Sequence, residues 1–221
     1  MNPPDARERL LARLRAAAGE SRLPAAPRAS AESPAAPGLS PGELAERFRE
    51  RFVANGGVFL AGPSLEAVSA SLAEELKASG VSVLAVPEDD PHARRAAETL
   101  APFGPFVLAP DYELAGSLPP VGAGVQTAEF AVAETGSVVQ TDRGGRTLLP
   151  GLLPEVHVAL ILPETLVGRM EDCLAAIAQD PPRTISFLSG PSRTADIELT
   201  LTVGVHGPEK MVAVLLPPTT P

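Results

Sequence analysis

The chain has 221 residues, of which 44% are hydrophobic and 20% charged. That is enough apolar material for one domain with its own core, alone or with an appendage. With no Trp, one Tyr and a net charge of −9, neither an aromatic stacking platform nor a basic face for nucleic acid is expected. The single cysteine, Cys173, cannot form an intramolecular disulfide, and this chain alone cannot build a Cys-ligated zinc or iron–sulfur site.

Asp5 to Ala18 reads as a short amphipathic helix, with Leu10, Leu11 and Leu14 on one side and arginines around them. Those arginines interrupt any continuous apolar segment of the kind a secretory signal needs. No later apolar run reaches the roughly 18 residues of a membrane span. The expectation is a cytoplasmic protein with no membrane span. The stretch SRLPAAPRASAESPAAPGLSP is linker composition, because repeated Pro prevents a helix and Ala and Ser dominate the rest. The organisation expected is a helical arm over 1–19, a Pro/Ala-rich linker over 20–40 and an α/β domain over 41–221. Residues 1–28 carry +3 and the remainder −12. A basic arm on an acidic body is either a docking element, for its own body, a second subunit or another protein, or a solvated helix with local charge pairs.

Ser40-Pro41-Gly42-Glu43 is a capping box with Pro at the first helical position. It predicts a helix to about Ala54, stopped by Asn55-Gly56-Gly57. Val58–Gly62 reads as a buried strand, Pro63–Ser79 as a helix, Val81–Pro87 as a strand, Pro91–Leu100 as a helix and Phe106–Pro110 as a strand. Alternating helices with all-apolar strands predict an open, mostly parallel sheet with helices on both faces. Further on, a helix is expected around Thr127–Ala133, then a strand at Ser137–Thr141 and a Gly-Gly turn. Another strand is expected at Val156–Leu162, a helix over Pro163–Ala178, and strands at Thr184–Gly190 and Met211–Leu216.

Three polar clusters interrupt this apolar pattern: Glu134-Thr135-Gly136-Ser137, Gly190-Pro191-Ser192-Arg193-Thr194-Ala195-Asp196 and Gly204-Val205-His206-Gly207-Pro208. In open α/β sheets, ligands sit outside the carboxyl ends of the strands, and the second cluster directly follows a strand. Gly190 permits close backbone approach, Ser192 and Thr194 suit a following helix cap or turn, and Arg193 offers a bidentate fork for a carboxylate or phosphate. The alternative is a capped turn with Arg193 in solvent or paired to Asp196 or Glu198. Arg143 and Arg146, beside a Gly-Gly pair, modestly favour an anion site as well. Glu134, among small and apolar residues, is either a tuned acid/base or nucleophile, or a helix-end carboxylate satisfied by backbone amides. His206 is either an acid/base paired with Asp196 or Glu198, or a turn histidine bonded to its own loop. His157 reads as a satisfied core histidine and Cys173 as a buried, inert thiol.

The segments AEFAVAETGSVV, LLPEVHVALI, FLSGPSRTADIE and GVHGP together resemble the LUD-domain family, in order and spacing, from about Leu39 to the C-terminus. The arm and linker are similar to those of its small lactate-utilisation subgroup. The resemblance implies an α/β fold similar to the sugar-phosphate isomerase and CoA-transferase superfamily. It also implies a role in oxidising L-lactate to pyruvate beside two separate iron–sulfur proteins, which carry the clusters, so that no cofactor is bound by this chain alone. It implies no catalytic set. The candidates are therefore those read from the residues: Glu134, His206 and Asp196 for chemistry, and Thr135, Gly136, Gly190, Ser192, Arg193 and Thr194 for binding a small anionic ligand, with no metal site. Two further readings stand beside this one, a stand-alone isomerase or acyl/CoA transferase using Glu134, and a scaffold with a vestigial pocket. Arm exchange makes a homo-oligomer possible.

Overall fold

A computed structural model describes residues 38–104, 106–110, 122–195, 201–203 and 207–218, together with Arg7 and positions 11–13, which are helical. The rest of the expected N-terminal helix and the linker lies outside the described residues. Cα packing divides the chain into Met1–Pro37 and Gly38–Pro221.

Helix α1 (Pro41–Ala54) begins as the sequence predicts. The Ser40 side chain accepts the Glu43 amide, and the Glu43 carboxylate accepts the Ser40 amide at 2.8 Å. Strand β1 (Val58–Ala61) follows, then α2 (Leu65–Ala78), capped by Ser64, and β2 (Val83–Val86). Asp90 caps α3 (Pro91–Leu100), and β3 spans Val107–Pro110. Past that point the order is β4 (Ala123–Thr127), β5 (Phe130–Val132), β6 (Ser137–Thr141), a short helix α4 (Leu149–Leu152) and β7 (Val156–Ile161). The chain continues with β8 (Leu166–Val167), α5 (Met170–Gln179), β9 (Ile185–Leu188), β10 (Arg193–Ala195), β11 (Leu201–Val203) and β12 (Lys210–Leu215).

Six strands form one parallel sheet in the order β1-β12-β7-β4-β2-β3. Its central strands are buried along their length, as continuous apolar runs in a sheet covered on both faces must be. The period of two sorts their side chains. Val158, Leu160, Val212 and Val214 pack with Leu72 and Leu76 of α2 and Ala96 and Leu100 of α3. Ala159, Ile161, Met211 and Ala213 pack on the opposite face with Phe48 and Phe52 of α1. On that face the helix shares its place with a second sheet, β8-β5-β6-β9, whose Ala131 and Val138 join the same cluster. The outer side of the second sheet is closed by α5 through Val132, Val139, Cys173 and Ile177.

Two expected elements take a different form. The helix expected around Thr127–Ala133 is instead the end of β4 and then β5. Its Ala- and Glu-containing composition suits a helix, but every residue from Ala123 to Ala128 is buried between β2, β7 and the second sheet. Strand pairing there outweighs a local preference worth tenths of a kcal/mol per residue. The single helix expected over Pro163–Ala178 divides into a 3-10 turn, the two-residue β8 paired with β5, and α5 beyond Gly168.

Candidate functional site

The second polar cluster follows β9, but β9 belongs to the small mixed sheet, antiparallel to β6, and not to the parallel sheet. What comes after Gly190 is also no helix. Residues 193–195 form β10, which pairs antiparallel with β11. The carboxyl-end rule therefore does not place this cluster, and tertiary packing does.

That packing brings parts of all three polar clusters to the C-terminal end of α1. The turn between β5 and β6 carries Thr135 and Gly136. Gly136 has φ +66°, and a Cβ there would lie 2.5 Å from the Phe52 amide nitrogen, so only glycine fits against α1. Asn55, the C-cap of α1, donates from Nδ2 to the Thr135 carbonyl oxygen at 3.0 Å. From the other side Gly190 approaches so closely that a Cβ would meet the Asn55 carbonyl oxygen at 2.7 Å. Ser192 donates its amide to the Pro208 carbonyl oxygen at 2.8 Å, which joins the third cluster to the second. Asn55 lies just before β1 and Pro208 just before β12. The assembly thus occupies the amino-terminal side of the parallel sheet.

At its centre three hydroxyls form a chain. Thr135 Oγ1 and Ser137 Oγ are 2.7 Å apart, and Ser137 Oγ and Ser189 Oγ are also 2.7 Å apart. Ser137 is buried, Thr135 half-buried and Ser189 exposed. Three hydroxyls hold three donor protons, and two hydrogen bonds consume two of them. One O–H remains to donate outward, which suits a carboxylate or carbonyl oxygen of a small ligand.

The other candidates stand as follows. Glu134 is exposed, and its carboxylate accepts the Met170 amide at the start of α5 at 3.1 Å. Glu134 thus accepts a backbone amide, but from its place in the β5–β6 turn and not from a helix end of its own. Of Arg193 and Thr194 the backbone alone is described, and Asp196 and His206 lie outside the described residues. His157 is fully buried, but neither ring nitrogen has a hydrogen-bond partner among the described residues, so it is a core histidine without satisfaction there. Burial holds its imidazole down at about 4. Burial first, and the Glu129 charge second, push the Cys173 thiol up to about 11.

Sequence reading missed Asn55, which served there only as a helix stop, and Ser189, which fell inside a strand. It also missed a latch at the carboxyl ends of β2 and β4, where the chain changes direction across the sheet. Asp90 there accepts from the Thr127 amide and the Thr127 hydroxyl, each at 2.7 Å, and from the Ala93 amide at 2.9 Å. The helix-cap signal of Asp90 was legible, but its partner on a strand 37 residues away was not. Among the described residues no cluster of His, Cys, Asp or Glu is arranged to hold a metal, and no helix is long and apolar enough to cross a membrane.

The parallel sheet layered between helices, with a small mixed sheet on one face, defines an α/β domain, and the family model for the LUD domain matches residues 43–216. The chain belongs to the LUD domain family. It is similar to Lactate utilization protein C of Exiguobacterium sp., with 41% identity over 99 residues that cover 42% of this chain and 43% of that protein. It is also similar to Lactate utilization protein C of Halalkalibacterium halodurans, with 42% identity over 91 residues, 38% of this chain and 40% of that protein. The matched segments thus span about two fifths of these curated relatives. A crystal structure of a DUF162 family protein from Deinococcus radiodurans has the same fold, with a TM-score of 0.56 at 19% identity, covering 80% of this chain and 99% of that one.

Proposed function

We propose that this chain is a non-redox component of a system that oxidises L-lactate to pyruvate, acting with two separate iron–sulfur proteins. Its own part is to bind a small carboxylate, lactate or pyruvate, at the Asn55–Thr135–Ser137–Ser189 cluster. The observation that carries this reading is the hydroxyl chain of Thr135, Ser137 and Ser189, drawn from two distant segments and set beside Asn55, with an O–H to spare, in a chain whose relatives are named for lactate utilisation. The one cysteine is consistent with clusters borne by partners, because iron–sulfur ligation takes four protein ligands. The basic segment 1–28 supplies a docking element for those partners through charge.

The test is reconstitution. Anaerobic extract from cells lacking the chain is assayed for lactate-dependent dye reduction, with and without the purified protein. Added wild-type chain restores the activity. Asn55→Ala and Ser137→Ala chains that fold restore it at least tenfold less well at limiting lactate, and a chain lacking residues 1–38 needs a higher concentration to do so. Equal activity of the extract with and without the chain would contradict the proposal.

A further inference from the structure

Half of the six cationic side chains in residues 122–221 belong to one cavity. Arg143, Arg146 and Arg183 line an open hollow of about 520 Å³, together with the Gly144–Gly145 turn, Asp142 and Asp180. It lies at the Thr141 end of β6. The hydroxyl chain lies at the Ser137 end, about 13 Å away along the strand at roughly 3.3 Å per residue. The hollow is therefore separate from the cluster described above.

Its frame is fixed by backbone. The Asp142 carboxylate accepts the Arg183 amide at 2.9 Å and the Thr184 amide at 3.1 Å. This ties the segment before β9 to the turn after β6. Arg143 donates to the Asp180 carbonyl oxygen at 2.5 Å and lies 3.3 Å from Glu129. Its Nε is buried, lies 3.7 Å from the Asp180 carboxylate and makes no hydrogen bond among the described residues. Arg146 reaches the same Glu129 carboxylate only at 3.8 Å. Arg183 has no ion pair among the described residues. The lining of the hollow carries three guanidiniums against two carboxylates, and Glu129 behind it brings the whole set to formal neutrality. Asp142 is committed to backbone amides, Glu129 is shared between two guanidiniums, and Asp180 is 78% exposed. A Cβ on Gly144 or Gly145 would meet nothing within 4 Å, so bare backbone faces open space.

We propose that this hollow is a binding subsite for the phosphoryl group of a small phosphorylated ligand, with Arg146 and Arg183 as its clamp and Arg143 as a fixed wall. A single carboxylate is satisfied by one guanidinium fork, whereas a phosphoryl group presents three terminal oxygens and takes several. Three guanidiniums on two cross-tied loops fit the second chemistry. The subsite goes beyond the carboxylate role assigned to the hydroxyl cluster and does not depend on it.

The experiment is calorimetric titration of the full chain with inorganic pyrophosphate, and with malonate as a dicarboxylate comparator, at constant ionic strength. Arg146→Ala, Arg183→Lys and the surface control Arg49→Ala are titrated alongside. Arg146 and Arg183 are exposed or half-exposed at the rim, so these variants keep the unliganded melting temperature of the wild type. Saturable pyrophosphate binding is expected, weakened at least tenfold by Arg146→Ala and by the loss of the fork in Arg183→Lys, and unchanged by Arg49→Ala. Absence of saturable binding to the wild type would overturn the proposal. So would equal binding by all variants, which marks an adventitious ion only, or malonate binding as tight as pyrophosphate.

Discussion

His157 sits at the centre of the parallel sheet, between Gly124 and Met211 in register, with both ring nitrogens unpartnered among the described residues. Its folded-state value of about 4 lies below the ordinary 6.5, so between these limits the unfolded chain binds more protons than the folded one. The stability it allows is complete above about pH 6.5 and is lost as pH falls toward 4, by up to about 1.4 kcal/mol per pH unit. Thermal unfolding followed across pH 4 to 7 is expected to show that slope in the wild type. In His157→Leu it is expected to be flatter, with stability at pH 7 equal or higher, since an apolar side chain leaves no orphaned nitrogen. A destabilised His157→Leu with an unchanged slope would refute this account of the residue. Cys173 makes a parallel case. Its buried thiol, raised to about 11, stays protonated at neutral pH and is expected to react with a thiol reagent only after denaturation. Rapid modification of the native protein would contradict its placement on the buried face of α5.

Helix α1 ties the fold to the site. It starts on a capping box, buries Phe48 and Phe52 in stacked contact at 5.3 Å, and ends on Asn55. Ser40→Ala is expected to cost about 1 kcal/mol of stability through the lost cap, with little effect on the hydroxyl cluster. Gly136→Ala forces a Cβ against the α1 backbone at a positive φ. It is expected to cost about 2 kcal/mol or more, read as a lower denaturant midpoint. Equal midpoints for Gly136→Ala and wild type would mean that the β5–β6 turn does not rest on α1 as described. This element also marks how far the sequence could be read. The capping box, the Gly-Gly stop and the apolar runs of β7 and β12 are local signals, and the structure places all of them as expected. β4 and β5 were not legible, because residues of helical preference became strands through neighbours far along the chain. The contact of Asn55 with Thr135, across 80 positions, has no local signature either. The Gly, Ser and Thr islands were visible as polar interruptions, but which end of the sheet they occupy depended on β9 joining the smaller sheet.

At the scale of the molecule, the proposed function joins an acidic body, a basic N-terminal segment and a hydroxyl-lined cluster in one binding component that works with partners. L-lactate oxidation releases two electrons, and the proposed function places their acceptors on the two iron–sulfur partners. The proposal stands or falls with those partners. The most direct test is an anaerobic pull-down of the tagged chain from its native cells, with partners identified by mass spectrometry and the eluate assayed for lactate-dependent dye reduction. Two iron–sulfur proteins in the eluate, with dye reduced only when L-lactate is present, are predicted. Recovery of the chain alone, at a protein concentration where a complex would persist, would contradict the account.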